Sequence, residues 1–100
     1  MAELTTVYWR DIPAQVIVKA GRKQARRQLS PRFQEAIDRA AMLAGLHGSD
    51  AYLDEWRRVG PESCGDDVEA EAAAAAARLE AAFSEPALNA LAAAGGRTAP

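Results

Sequence analysis

The chain has 100 residues, of which 49% are hydrophobic and 26% charged, and a formal net charge of -2. This length predicts one domain and excludes a second one of ordinary size, since domains typically have about 100 to 150 residues. The composition is that of a soluble globular protein rather than of a disordered or membrane-spanning chain, because no apolar run approaches the ~20 residues that a membrane span needs.

The N-terminus has no basic region followed by an apolar stretch, so the sequence predicts no signal peptide and a cytoplasmic location. Cys64 is the only cysteine and can form no intrachain disulfide, which fits a reducing compartment.

Charge is divided unevenly along the chain. Residues 1–39 hold eight Lys or Arg and four acids, whereas residues 40–100 hold four Lys or Arg and ten acids. The first part therefore carries +4 and the second -6. A basic first part favours anionic partners, but an acidic part of similar size argues against general affinity for nucleic acid.

Two strands open the chain. β-Branched and aromatic residues predict strands over 5–11 and 15–19, and Pro13 predicts the turn of their hairpin at 12–14. For 24–29 a short extended or irregular segment is favoured over a helix. Residues 50–59 fit either a short helix or a third strand on the sheet edge, and the strand is favoured because a lone hairpin is marginal.

Three helices follow from caps and apolar spacing. Ser30 and Pro31 predict the start of a first helix, which Gly45 and Gly48 end. Residues 60–67 are predicted as a loop, after which Asp66 and Glu69 resemble a capping box that opens a second, alanine-rich helix. Leu88 and Leu91 indicate one further short helix.

The sequence thus predicts an α+β fold in which a small antiparallel sheet, made of the N-terminal hairpin and a third strand, packs on two main helices. We expect one domain over 1–94 and a disordered tail over 95–100.

The densest charge lies just after the hairpin. Lys19, Arg22, Lys23, Arg26 and Arg27 form a basic segment, with Arg10 and Arg32 as neighbours once the hairpin folds. Guanidinium groups there could bind a phosphate or a carboxylate, but a solvated edge is the more common role of such a charge run.

Catalytic signals are weak. His47 is the only histidine, and Cys64 stands among acids that oppose thiolate formation. No nucleophile elbow, phosphate loop, dinucleotide-binding motif or metal-ligand spacing occurs, so no catalytic residue, cofactor or metal is predicted. An enzyme would need two of Asp11, Asp38 and His47 within hydrogen-bond reach in one pocket.

Aromatic residues give a second indication of binding. Trp9 and Trp56, with Tyr8 and Tyr52, could form a contact surface, because helices packed on one face of a small sheet leave its other face available to a partner.

The stretch VYWRDIPAQVIVKAGRKQARRQLSPRFQEAIDRAAM, followed by SDAYLDEWRR, resembles the bacterial virulence factor domain. The resemblance covers about residues 5–58 and leaves the alanine-rich C-terminal third outside. It implies a non-catalytic accessory or regulatory module with a protein partner, such as a folate or corrinoid one-carbon enzyme. A nucleic-acid-binding regulator acting through residues 19–27 is the alternative. The candidate partner-binding residues are Trp9, Arg10, Gln15, Arg22, Lys23, Arg26, Arg27, Arg32, Tyr52 and Trp56.

Overall fold

A computed structural model describes residues 2–98 of the chain. Its strands are β1 (Ala2–Trp9), β2 (Ile12–Ala20), β3 (Lys23–Gln28) and β4 (Trp56–Cys64), and its helices are α1 (Pro31–Leu43), α2 (Asp50–Asp54), α3 (Val68–Ala82) and α4 (Glu85–Ala93). The strands form one antiparallel sheet in the order β3-β2-β1-β4. The predicted α+β fold is confirmed, with one strand more than the three expected.

The hairpin turns earlier than predicted. Trp9 pairs with Ile12 and Tyr8 with Pro13, so the turn consists of Arg10 and Asp11, and the prediction of a turn at 12–14 was wrong. Pro13 lies inside β2 because the register shifts between Val7 and Tyr8, and an irregularity of this kind tolerates the missing proline N–H.

Two further boundaries differ from the sequence prediction. The strand favoured for residues 50–59 forms only from Trp56 onward, and the alternative, a short helix, forms over Asp50–Asp54. The predicted loop at 60–67 was wrong over its first part, because β4 continues through Cys64 and pairs with Ala2. Gly60 permits this path: its φ is +114°, and a Cβ there would lie 2.7 Å from the Leu4 carbonyl oxygen.

Helix α3 covers one face of the sheet. Val16, Val18 and Ala25 of the sheet pack against Ala72 and Ala75 of α3, whose small side chains permit close approach. The N-cap of α3 is Asp67, which accepts a hydrogen bond from the Ala70 N–H, rather than the predicted Asp66.

A second core lies at the hairpin end of the sheet. Trp9 and Ile12 pack there with Phe33 and Ile37 of α1 and with Leu88 of α4. This larger cluster carries most of the bulky apolar side chains, which compensates for the thin alanine packing under α3.

The segment after α4 docks on the hairpin turn. The Asp11 N–H donates to the Gly96 carbonyl, and the Thr98 N–H donates to the Asp11 carboxylate. Residues 95–98 were predicted as the start of a disordered tail, and these hydrogen bonds place them against β1 and β2. The last two residues of that predicted tail, 99 and 100, lie outside the described residues.

Candidate binding face and groove

The sheet face opposite α3 is defined by strand alternation and by cross-strand register, because paired residues share a face. We call it the outer face, and it comprises Glu3, Thr5, Val7, Gln15, Ile17, Lys19, Gln24, Arg26, Gln28, Arg58 and Ser63. Val7 and Ile17 are buried although neither belongs to the two cores, and each has an arginine, Arg58 or Arg26, as its cross-strand partner. The outer face is thus an apolar centre bordered by long polar side chains.

The basic segment does not form a single patch. Lys19 and Arg26 lie on the outer face, whereas Lys23 and Arg27 point to the side of α3, and Arg22 lies in the β2–β3 turn. Among the described residues, these five cations are exposed and enter no ion pair or side-chain hydrogen bond. Edge strand β3 therefore carries unpaired positive charge on both of its sides.

Two of the predicted binding arginines hold the fold together instead. The Arg10 guanidinium donates to the Gly95 carbonyl at 2.9 Å and pairs with the Glu55 carboxylate at 3.3 Å. The backbone of Arg10 has a positive φ of 52°. Arg32 donates to the Phe83 carbonyl and pairs with Glu80 at 2.9 Å. Both guanidinium groups are committed within the protein, so they are poor candidates for contact with a partner.

Glu80 forms a second attachment between α3 and the start of α1. Its carboxylate accepts hydrogen bonds from the Ser30 N–H at 2.6 Å and from the Ser30 hydroxyl at 2.8 Å, besides the contact with Arg32. Desolvation alone would raise the pKa of Glu80, but the hydrogen bonds from Ser30 and the Arg32 charge outweigh it and lower the pKa. Ser30 occupies the predicted N-cap position of α1, yet its hydroxyl donates to Glu80 and accepts from the Arg32 side chain, and it caps no backbone N–H of the helix.

The aromatic residues divide between core and surface. Trp9 is fully buried and donates its indole N–H to the Tyr52 carbonyl at 2.9 Å, so the prediction that Trp9 touches a partner does not fit its position. Tyr52 packs on Trp9 with ring centroids 5.5 Å apart and meets Trp56 edge-on at 6.1 Å. Trp56 is half-buried and is the tryptophan that borders the surface.

A groove runs beside Trp56. It consists of two adjoining depressions, of about 290 and 600 Å³, that share Gln15 and Trp56. The smaller one adds the amides of Gln28 and Gln34, and the larger one adds Val7, Arg57 and Arg58.

Gln15 and Arg58 are two polar groups of this groove that have no side-chain partner among residues 2–98. The Gln15 Oε1 atom is buried without a hydrogen-bond partner among the described residues, which is a costly arrangement for an acceptor. Arg57 is occupied by the Asp11 carboxylate and the Tyr8 ring, whereas Arg58 is exposed and unpaired within residues 2–98. Sequence reasoning found Gln15 and Trp56 but missed Arg58, Gln28 and Gln34. Arg58 and Gln28 could have been found from the alternation of side chains along β4 and β3, because each pairs with a residue that lines the groove.

The titratable groups considered for catalysis do not assemble into a reactive pair. Asp38 and His47 line one pocket with Tyr52, but within residues 2–98 no hydrogen bond joins Asp38 to His47, and Asp38 accepts from the Gln34 amide instead. Burial, and then the charge of Asp38, raise the pKa of Tyr52, which keeps the phenol protonated.

Asp11 lies at the hairpin turn, apart from that pocket. The hydrogen bond from the Thr98 N–H has the largest effect on the pKa of the Asp11 carboxyl and lowers it. Arg57 lowers this pKa further, and the two together outweigh desolvation, which raises it. Desolvation raises the pKa of the Cys64 thiol, and Glu71, Asp66 and Glu3 add to the effect. Over residues 2–98, no three His, Cys, Asp or Glu side chains are grouped as metal ligands need to be, and no helix is long and apolar enough to cross a membrane.

Comparison with known proteins identifies the family. No curated protein and no solved structure matches the chain. The sequence model described as "Virulence factor" matches residues 7–92, which adds the alanine-rich helices to the part that the resemblance had covered. Because this match spans most of the chain, from the hairpin to α4, the protein belongs to the virulence factor family.

Proposed function

We propose that this protein is a non-catalytic protein-interaction module, an accessory subunit or regulator that binds an acidic surface of its partner through β3 and the β2–β3 turn. The observation that carries the proposal is the set of five exposed cations at 19–27 that lack acidic partners among the described residues.

The position of these cations on an edge strand supports binding of a protein. An edge strand presents unpaired backbone N–H and C=O groups on its outer side, and an acidic segment beside β3 would meet Arg26 on one sheet face and Arg27 on the other. The cations at 19–27 make this region positive, although the net charge of the chain is -2. Attraction between this positive region and an acidic partner increases the rate of association. The resemblance makes folate and corrinoid one-carbon enzymes the first partners to examine.

The nucleic-acid alternative has less support. Binding of single strands uses aromatic rings that stack on bases within the basic surface, and Trp9, one of the candidates for that role, is fully buried. The division of Arg26 and Arg27 between two sheet faces also works against a single basic surface.

Charge reversal tests the proposal. The tagged protein is used to purify its partner from the producing cell, and the recovered protein is then titrated by calorimetry with the wild type, with R26E/R27E and with R58E/R78E. The two double variants change net charge equally, but only the first alters β3. We expect R26E/R27E to weaken binding by about a hundredfold and R58E/R78E to change it by less than about threefold, because two desolvated ion pairs are lost only in the first.

Two results would contradict the proposal. One is equal weakening by both double variants, which would indicate that only net charge matters. The other is recovery of RNA or DNA instead of a protein, with affinity that falls steeply between low and moderate salt as phosphate counterions return.

A further inference from the structure

We propose that the groove beside Trp56 is a separate binding site for a small planar nitrogen heterocycle that carries an N–H donor and an anionic group. The site lies between β4 and the start of α1 and reaches β3 only at its last residue, Gln28, so it does not include the cations at 19–27 on which the proposed function rests.

The size and lining of the groove fit such a molecule. The larger depression, about 600 Å³, lies within the range of ligand clefts, which is about 300 to 1,000 Å³, and the smaller one, about 290 Å³, lies at the lower limit of that range. Trp56 is half-buried and is held edge-on by the Tyr52 ring at 6.1 Å, so it offers a fixed aromatic wall on which a flat ring can stack. Val7, Ala14 and Leu29 supply further apolar contacts.

The polar groups of the groove specify what the ring carries. Gln15 Oε1 is buried without a donor, and Gln15 belongs to both depressions, so a ligand N–H there satisfies an acceptor that the fold leaves unpaired. The terminal torsion of a glutamine is broad, which allows the amide to turn toward the ligand at little cost. The amide of Gln28 borders the same space and adds a hydrogen-bonding group at the edge of the ring, whereas the Gln34 amide N–H already donates to Asp38.

Arg58 specifies the anionic group. Its neighbour Arg57 is already paired with Asp11 at 3.2 Å, whereas Arg58 is exposed, lines the larger depression and has no acidic partner within residues 2–98. A guanidinium binds a carboxylate or a phosphate through two parallel hydrogen bonds, so either group on the ligand suits it.

Calorimetry with the full chain tests this site. The probes are orotate, a planar N–H heterocycle with a carboxylate, and guanosine 5′-monophosphate, which carries a phosphate; the controls are guanosine, which lacks the anion, and ribose 5-phosphate, which lacks the ring. We expect at least one probe to bind with a Kd below about 1 mM and both controls to bind at least about tenfold more weakly.

Two variants, Q15M and R58A, test the proposed contacts, and a third, R78A, is the control. Q15M keeps the side-chain volume but removes the amide, R58A removes the cation, and R78A removes an exposed arginine at the opposite sheet face as the matched control. We expect Q15M and R58A each to weaken binding about tenfold, as the loss of one charge-assisted or buried hydrogen bond does, and R78A to leave it unchanged.

Nuclear magnetic resonance gives a readout that does not depend on affinity. The indole N–H signal of Trp56, assigned with a W56F variant, shifts on titration, while that of the buried Trp9 stays in place. Failure of both probes to bind below about 1 mM, equal binding of the ring-free control, or equal effects of R58A and R78A would each overturn the proposal.

Discussion

Glu80→Gln tests the attachment of α3 to the start of α1. The Glu80 carboxylate accepts three hydrogen bonds, two from Ser30 and one from Arg32, and its side chain is 33% exposed. Loss of a buried hydrogen bond to a charged group lowers the free energy of unfolding by about 1.5 to 3 kcal/mol. The loss is smaller at an exposed site, because water forms hydrogen bonds with the groups left unpaired. Since the glutamine oxygen still accepts one bond, we expect a loss of about 2 kcal/mol in the free energy of unfolding, or about 8 to 16 °C in Tm.

The pH dependence of this loss identifies its cause. The folded protein lowers the pKa of Glu80 from its ordinary value of 4.5, so the carboxylate contributes stability above pH 4.5 and loses it as pH falls through the folded-state pKa. Urea unfolding of wild type and variant at pH 7 and at pH 3 should therefore give a difference that shrinks toward the lower pH. Glu35→Gln, at an exposed site on α1, is the control.

The expectation for Glu80→Gln fails if the variant loses less than about 0.5 kcal/mol at pH 7, which is the size of an ordinary surface effect. It also fails if the loss is the same at both pH values, because a steric cause would not titrate.

Three further outcomes follow from the packing. Gly96→Ala should lower Tm more than Gly21→Ala, because both have positive φ but only a Cβ at Gly96 meets the Trp9 ring, at 3.0 Å; equal losses would show that backbone strain alone acts. Cys64 should react with iodoacetamide at pH 8 more slowly in the folded protein than in urea, since its thiol pKa is raised, and a faster folded-state reaction would contradict this. Gln15→Met should raise the urea midpoint by removing an unpaired buried acceptor, and a lower midpoint would show that Oε1 is satisfied by water.

Local chemistry predicted most elements of the fold. The strands around Val7 and Ile17, the start of α1 at Pro31 and the short helix that contains Leu88 all follow from residue preferences and caps. The hairpin turn could not be predicted in this way, because Arg10 has a positive φ and its hydrogen-bond partners, Glu55 and Gly95, are distant in sequence. Pairing with β1 likewise overrode the loop composition of residues 60–64.

The candidate groove was less predictable than the fold. Gln15 and Trp56 were singled out from the sequence, but nothing in it shows that Gln15 remains unpaired or that Arg58 lines the same depression. Arg32 illustrates the opposite error: it resembles a free cation in sequence, while the structure pairs it with Glu80, 48 residues away. Charge in the sequence therefore does not indicate which cations form ion pairs within the protein.

The docking of residues 95–98 on the hairpin turn also bears on the order of folding. The Arg10–Gly95 and Asp11–Thr98 hydrogen bonds close sequence separations of 85 and 87 residues, whereas β1 and β2 pair locally. Contacts of such separation pay the largest loop-closure entropy and form late. We expect the β1–β2 hairpin to form while the chain is still being synthesised. Its turn should reach the final conformation only after residues 95–98 have left the ribosome.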